Sequence, residues 1–143
     1  MTVKAILSKK GRNVVTTEPA TKLAQVVKTL ADHRIGAVII AGPDRRVAGI
    51  LSERDIVRAL AERGTSVLEE SADKLMTRRV ITCSEADTVG EIMGRVTEGK
   101  FRHLPVVESG SLVGVISIGD VVKYRLEEME RESSALREYI LTA

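Results

Sequence analysis

The chain carries the same pattern of residues twice. Val14–Ile40 laid over Val80–Val106 puts Thr16 on Thr82, Ala20 on Ala86, Val26 on Ile92, Leu30 on Val96 and Ile35 on Phe101, at an offset of 66. After one deletion the offset becomes 65, and Gly49, Ser52, Asp55 and Val57 fall on Gly114, Ser117, Asp120 and Val122. Such a period is too long for a solenoid repeat and marks a duplicated small unit. One unit alone has too few residues to bury both faces of a small sheet. Two units packed face to face do so, with pseudo-two-fold symmetry and two equivalent grooves where they meet. Ligands favour grooves of this kind.

Each unit reads strand, helix, strand, strand, helix, an α/β (α+β) pattern. In the first, "VVTT" is a short strand and apolar positions 23, 26, 27 and 30 have helical spacing. "GAVIIA" is a buried strand, "GPDRR" a turn, "VAGIL" a further strand, and Ser52 opens a helix that Gly64 ends. The second copy gives the strand "VITC", the helix "TVGEIMGRVTEGK", the strands "HLPVV" and "LVGVI", and a helix from Ser117. Pro105 within "HLPVV" implies an edge or a bulge. A short helix precedes the first unit, and the linker carries another at Ala72–Met76. The expected division is residues 1–67 for the N-terminal segment and first repeat, and 68–143 for the second repeat with a long C-terminal helix.

Composition narrows the function. The net charge of +2 does not call for nucleic acid or an anionic membrane. With one Phe, two Tyr and no Trp, the core is aliphatic and stacking residues for single-stranded nucleic acid are lacking. The single cysteine, Cys83, excludes an intrachain disulfide and a multi-cysteine metal site. It suits a reducing compartment, and with no long apolar run a cytoplasmic protein is expected. No paired nucleophile and base is visible, so no enzyme is expected.

The Ser-x-x-Asp motif has two readings. It caps a helix: the Ser oxygen accepts from the third helical N–H while the acid reaches back to the cap N–H. It also builds a ligand site, because a helix N-terminus favours phosphate and an acid in the first turn accepts from both hydroxyls of a ribose. The two are compatible. His33 near a helix end is read as structural. Cys83 is read as a small hydrophobe, and Lys9, Lys10 and Arg12 as a solvated turn or a contact to a second phosphate. Arg45–Arg46 and Arg78–Arg79 are read as exposed. Val122, Leu126, Met129, Ser133, Leu136 and Ile140 are spaced 4, 3, 4, 3, 4, a heptad seam. It packs either on its own module or on a second subunit.

The motifs "GILSERD" and "GVISIGD", the strands "VTT" and "ITC" and the run "RHLPVV" resemble the cystathionine-β-synthase (CBS) domain, and the pair resembles a Bateman module. The resemblance covers Val14–Tyr124. It implies a regulatory binder of an adenosine-containing nucleotide, AMP or NAD(H) foremost, with ATP or ADP as alternatives, and not a catalyst. Carried over, Asp55 and Asp120 hold the ribose, and Ser52 and Ser117 contact ribose or phosphate. Thr16, Thr17, Thr82 and Cys83 line the adenine, largely through backbone groups, and Arg102 and His103 meet the phosphate. Pro105 and Ile118 complete the candidate contacts. Arg54 replaces the second copy's Gly119 and is either a phosphate contact at its own site or an exposed helix residue. Family members of this size pair as disk-like homodimers, and a protein effector would read the bound state. The rival readings are a scaffold without ligand, a nucleic-acid-binding module and an enzyme related to dehydrogenases.

Overall fold

The computed structural model describes residues 1–99 and 101–142. The elements run α1 (Val3–Lys10), β1 (Thr16–Thr17), α2 (Leu23–His33), β2 (Ala37–Ala41), β3 (Val47–Ser52), α3 (Glu53–Arg63), α4 (Ala72–Leu75), α5 (Val89–Gly99), β4 (His103–Glu108), β5 (Ser111–Ser117) and α6 (Ile118–Thr142). The first sheet has the order β1-β2-β3, with β1 parallel and β3 antiparallel to β2. The second is the antiparallel pair β4-β5.

The repeat is visible in how each unit buries its apolar side chains. Leu23, Val26 and Leu30 form the inward stripe of α2, and Val89, Ile92 and Val96 that of α5. These stripes close over alternate strand residues: Val38, Ile40 and Leu51 in the first core, Leu104, Val106 and Ile116 in the second. Burying one such side chain is worth about 1.5–3 kcal/mol.

The expected strand "VITC" contracts to a single bridge, Cys83 beside Val106. Pro105 explains the difference. Its carbonyl accepts from the Cys83 N–H at 3.0 Å, so the side on which its own N–H would lie also faces this segment. Proline has no such donor, so the ladder cannot continue toward Val80. The counterpart of Pro105 is Ile39, which pairs with Thr16. The register of β4 also shifts between Val106 and Val107, a bulge next to the proline.

Core membership crosses the boundary expected at residue 67. Val3, Ile6 and Leu7 of α1 are buried with Cys83, Ile92 and Ile116 of the second repeat. Ala72 and Met76, at the two ends of α4, are buried with Leu23, Leu51 and Ile56 of the first. Backbone bonds follow the same exchange. Val3 N donates to Asp87 O and Val89 N to Met1 O, while Leu23 N donates to Glu70 O and Ala72 N to Thr21 O. Each helix lies on a glycine of the other unit: Leu7 on Gly114, Met76 on Gly49. The exchanged segments therefore align as well, Leu7 with Met76 and Lys10 with Arg79, at an offset of 69.

α6 runs for 25 residues and buries only Val121 and Tyr124. Every residue from Met129 to Thr142 is exposed. The seam does not pack on its own module.

Candidate functional site

Both Ser-Asp motifs form capping boxes. Ser52 N donates to Asp55 Oδ2 at 3.0 Å and Asp55 N to Ser52 Oγ at 3.3 Å. Ser117 N donates to Asp120 Oδ2 at 2.9 Å and Asp120 N to Ser117 Oγ at 3.1 Å. The strand-to-helix turn thus holds Asp55 in the lining of one groove between the repeats, while Asp120 lies outside the lining of the other.

The groove at Asp55 holds about 360 Å³. The first repeat contributes Ser52, Glu53, Arg54, Asp55 and Arg58; the linker and second repeat contribute Thr77, Arg79, Phe101, Arg102 and His103. Four arginines (Arg54, Arg58, Arg79 and Arg102) thus face two carboxylates. Arg54 lines its own groove. Arg102 and His103, expected to meet a phosphate, stand in the groove of the other repeat's acid. His103 sits opposite Ser117 and its counterpart Ala37 opposite Ser52, and both residues line both grooves. Burial, then the nearby Lys10 ammonium, lowers the His103 pKa below the ordinary value near 6.5; Asp120 opposes this and Arg102 adds to it.

The groove on the Asp120 side holds about 310 Å³. It is lined by apolar Val14, Val15, Ile35, Ile39 and Val115 together with Lys10, Asn13, His103 and Ser117. Asp120 lies against Lys10, whose ammonium donates to its Oδ2 at 2.6 Å. Burial alone would raise the Asp120 pKa; hydrogen bonds from Lys10 and Ser117 and the Lys10 charge bring it below the usual carboxylate value.

Several expected contacts lie elsewhere. Thr16, Thr17, Thr82, Cys83, Pro105 and Ile118 line neither groove. In place of Thr16, Thr17, Thr82 and Cys83, residues three or so earlier in the chain line the grooves, Asn13–Val15 and Arg79–Ile81. Cys83 is turned into the second core, and both its backbone groups are used by β4, donating to Pro105 O and accepting from Val107 N. Burial first, then the Asp87 charge, pushes its thiol up to about 12, so it is no nucleophile near neutral pH. Thr17 is held in β1, and its Oγ1 is buried with no hydrogen-bond partner among the described residues. Ile118 is exposed. The Lys9–Arg12 turn is not simply solvated: Lys9 lies over the Tyr124 ring at 5.7 Å, Lys10 pairs with Asp120 and Arg12 with Glu85.

Arg58 and Arg79 were not anticipated in the groove. Arg58 stands three positions after Asp55, one turn along the same helix face. Arg79 is the counterpart of Lys10 once the exchanged helices are aligned.

The model of the CBS domain family matches residues 3–62 and 72–127. The chain belongs to the CBS domain family. Among solved structures, this CBS pair is similar to a CBS-domain-containing protein from Agrobacterium tumefaciens, with 45% identity and a TM-score of 0.82 over 87% of this chain and 99% of that one. It is also similar to a CBS domain protein from Pyrobaculum aerophilum complexed with AMP, with 30% identity and a TM-score of 0.74 over 84% of this chain and 89% of that one. A mitochondrial CBS-domain-containing protein from Arabidopsis thaliana is 32% identical over 118 residues, 80% of this chain and 57% of that protein. The CBS pair thus spans little more than half the length of that relative. Among the described residues, no helix is long and apolar enough to cross a membrane, and no cluster of three or more potential metal ligands occurs.

Proposed function

We propose that this CBS pair is a non-catalytic regulatory module that binds an adenosine-containing nucleotide, AMP or NAD(H) foremost, in the groove at Asp55. One observation carries the reading: an acid at a helix N-terminus shares a groove with four arginines. The acid suits the paired hydroxyls of a ribose. The arginines and the helix N-terminus suit phosphate. The AMP complex of the Pyrobaculum relative supports the same ligand class. The residues assigned to the ligand are Ser52, Asp55, Arg54, Arg58, Arg79, Arg102 and His103.

A thermal melt of the full chain with AMP, ADP, ATP and NADH tests it. A ligand at about a hundred times its Kd stabilises the fold by about 2.7 kcal/mol. In a chain of this size each kcal/mol raises Tm by roughly 2–4 °C. If none of the four moves the melting temperature, the reading fails.

Two exposed apolar surfaces favour a homodimer. The seam of Val122, Leu126, Met129, Leu136 and Ile140 is exposed, and a separate apolar groove of about 470 Å³ lies between α2 and α3, lined by Val27, Ile56, Val57 and Leu60. A helix tail this short gains little from propensity alone and needs a packing partner. We assign that partner to a second copy of the chain. Sedimentation equilibrium should return the mass of a dimer, and Leu126→Glu with Leu136→Glu should shift it toward the monomer. A monomeric wild-type chain at micromolar concentration would overturn this assignment.

A further inference from the structure

The two grooves differ at the acid. Asp55 itself lines its groove. On the other side Lys10 lines the cavity and Asp120 does not. The Lys10 ammonium donates to Asp120 Oδ2 at 2.6 Å and to Val115 O at 3.0 Å, and the same Oδ2 accepts from Ser117 N at 2.9 Å. Its backbone is held in place by α1, whose Val3, Ile6 and Leu7 are fully buried in the second core. The counterpart of Lys10, Arg79, makes no ion pair among the described residues. No arginine lines the Asp120 groove, and its walls are mainly aliphatic.

A ribose entering the Asp120 groove therefore meets Lys10 in front of an acid that does not line the cavity and whose Oδ2 is held by that ammonium. To move Lys10 aside and engage both oxygens of the acid, the ligand must break a charge-assisted hydrogen bond, among the stronger kind in proteins. It gains no arginine contact for its phosphate in return. The Asp55 groove imposes neither cost. There Asp55 Oδ2 accepts only from its own Ser52, and no cation pairs with Asp55 among the described residues.

We propose that Lys10 sets the ligand stoichiometry of the pair. One nucleotide binds per chain, at Asp55, and the Asp120 groove stays closed to a second while Lys10 holds its acid. This rests on reading Asp55 as the sugar-binding acid and adds the residue that makes the two sites unequal.

Calorimetric titration of the full chain with AMP tests it. The wild type gives one binding event per chain. Lys10→Met keeps the aliphatic stem and removes the charge. It gives a second event, or strengthens a weak one by roughly tenfold. Lys10→Gln gives the same result should the methionine variant melt early. Adding Asp120→Asn to either variant abolishes the second event.

Two equal events in the wild type, or variants indistinguishable from it, overturn the role of Lys10. If AMP binding is lost in Asp55→Asn but the Lys10 variants match the wild type, only the Lys10 assignment falls. If neither the wild type nor the Lys10 variants bind AMP, ADP, ATP or NADH, the nucleotide reading falls and takes this assignment with it.

Discussion

Replacing Asp55 by alanine should lower the affinity for AMP by about a hundredfold, since hydrogen bonds to a charged group are worth roughly 1.5–3 kcal/mol and a ribose offers two of them. It should also cost about 1 kcal/mol of stability, because Asp55 closes the capping box of α3 through the Ser52 N–H. Ser52→Ala separates the two effects. It removes the cap hydroxyl, which accepts from Asp55 N at 3.3 Å, but leaves the carboxylate in the groove. The expected pattern is a similar loss of stability in both variants and a clearly larger loss of affinity in Asp55→Ala than in Ser52→Ala. Calorimetry for binding and urea denaturation for stability supply the comparison. Equal affinities in Asp55→Ala and wild type would reduce Asp55 to a helix cap.

Gly49→Val should destabilise the fold by about 3 kcal/mol, at the upper end of the usual cost of overpacking. A Cβ on Gly49 would stand 2.7 Å from Met76 Sδ and 2.7 Å from the Thr77 carbonyl. The sulfur can move aside. The carbonyl cannot, because Thr77 is bonded in both directions to Ile50, at 3.0 and 2.9 Å. The chain around Thr77 must shift, and with it Arg79, so AMP binding should weaken as well. Gly114→Val meets the other exchanged helix only through Leu7 Cδ2 at 2.8 Å and Cδ1 at 2.9 Å. A leucine end can rotate, so this change should cost visibly less. Urea denaturation of the two variants decides: equal losses, or a Gly49→Val chain within 1 kcal/mol of wild type, contradict the account.

Much of this was legible because duplication shows each element twice. The spacing of Leu23, Val26 and Leu30 marked α2, and Ser52 with Gly64 marked both ends of α3, where the chemistry of the residue itself fixes the backbone. Pro105 announced the bulge in β4, but its effect on the neighbouring segment was hidden. That effect depends on which way a missing N–H points, which only the register reveals. The exchange of α1 and α4 was hidden for a different reason. Leu7 and Met76 carry no label saying which of two similar cores they enter, and local periodicity cannot choose between them. The same ambiguity hid which groove each charge enters. Ser52 and Asp55 were found from their spacing. That Arg102 stands with Asp55 rather than Asp120, and that Lys10 stands with Asp120, follows from how the two halves cross.

The traded helices also say something about ancestry. A half-length chain of this design would leave a gap in its interior where its leading helix has gone to a neighbour. Two such chains would fill each other's gap, each lending its first turns to the other, as in a domain-swapped two-fold pair. Fusing the two genes would tie that reciprocal loan into one polypeptide. The two grooves would then be free to diverge, one lined with arginines and the other with a lysine.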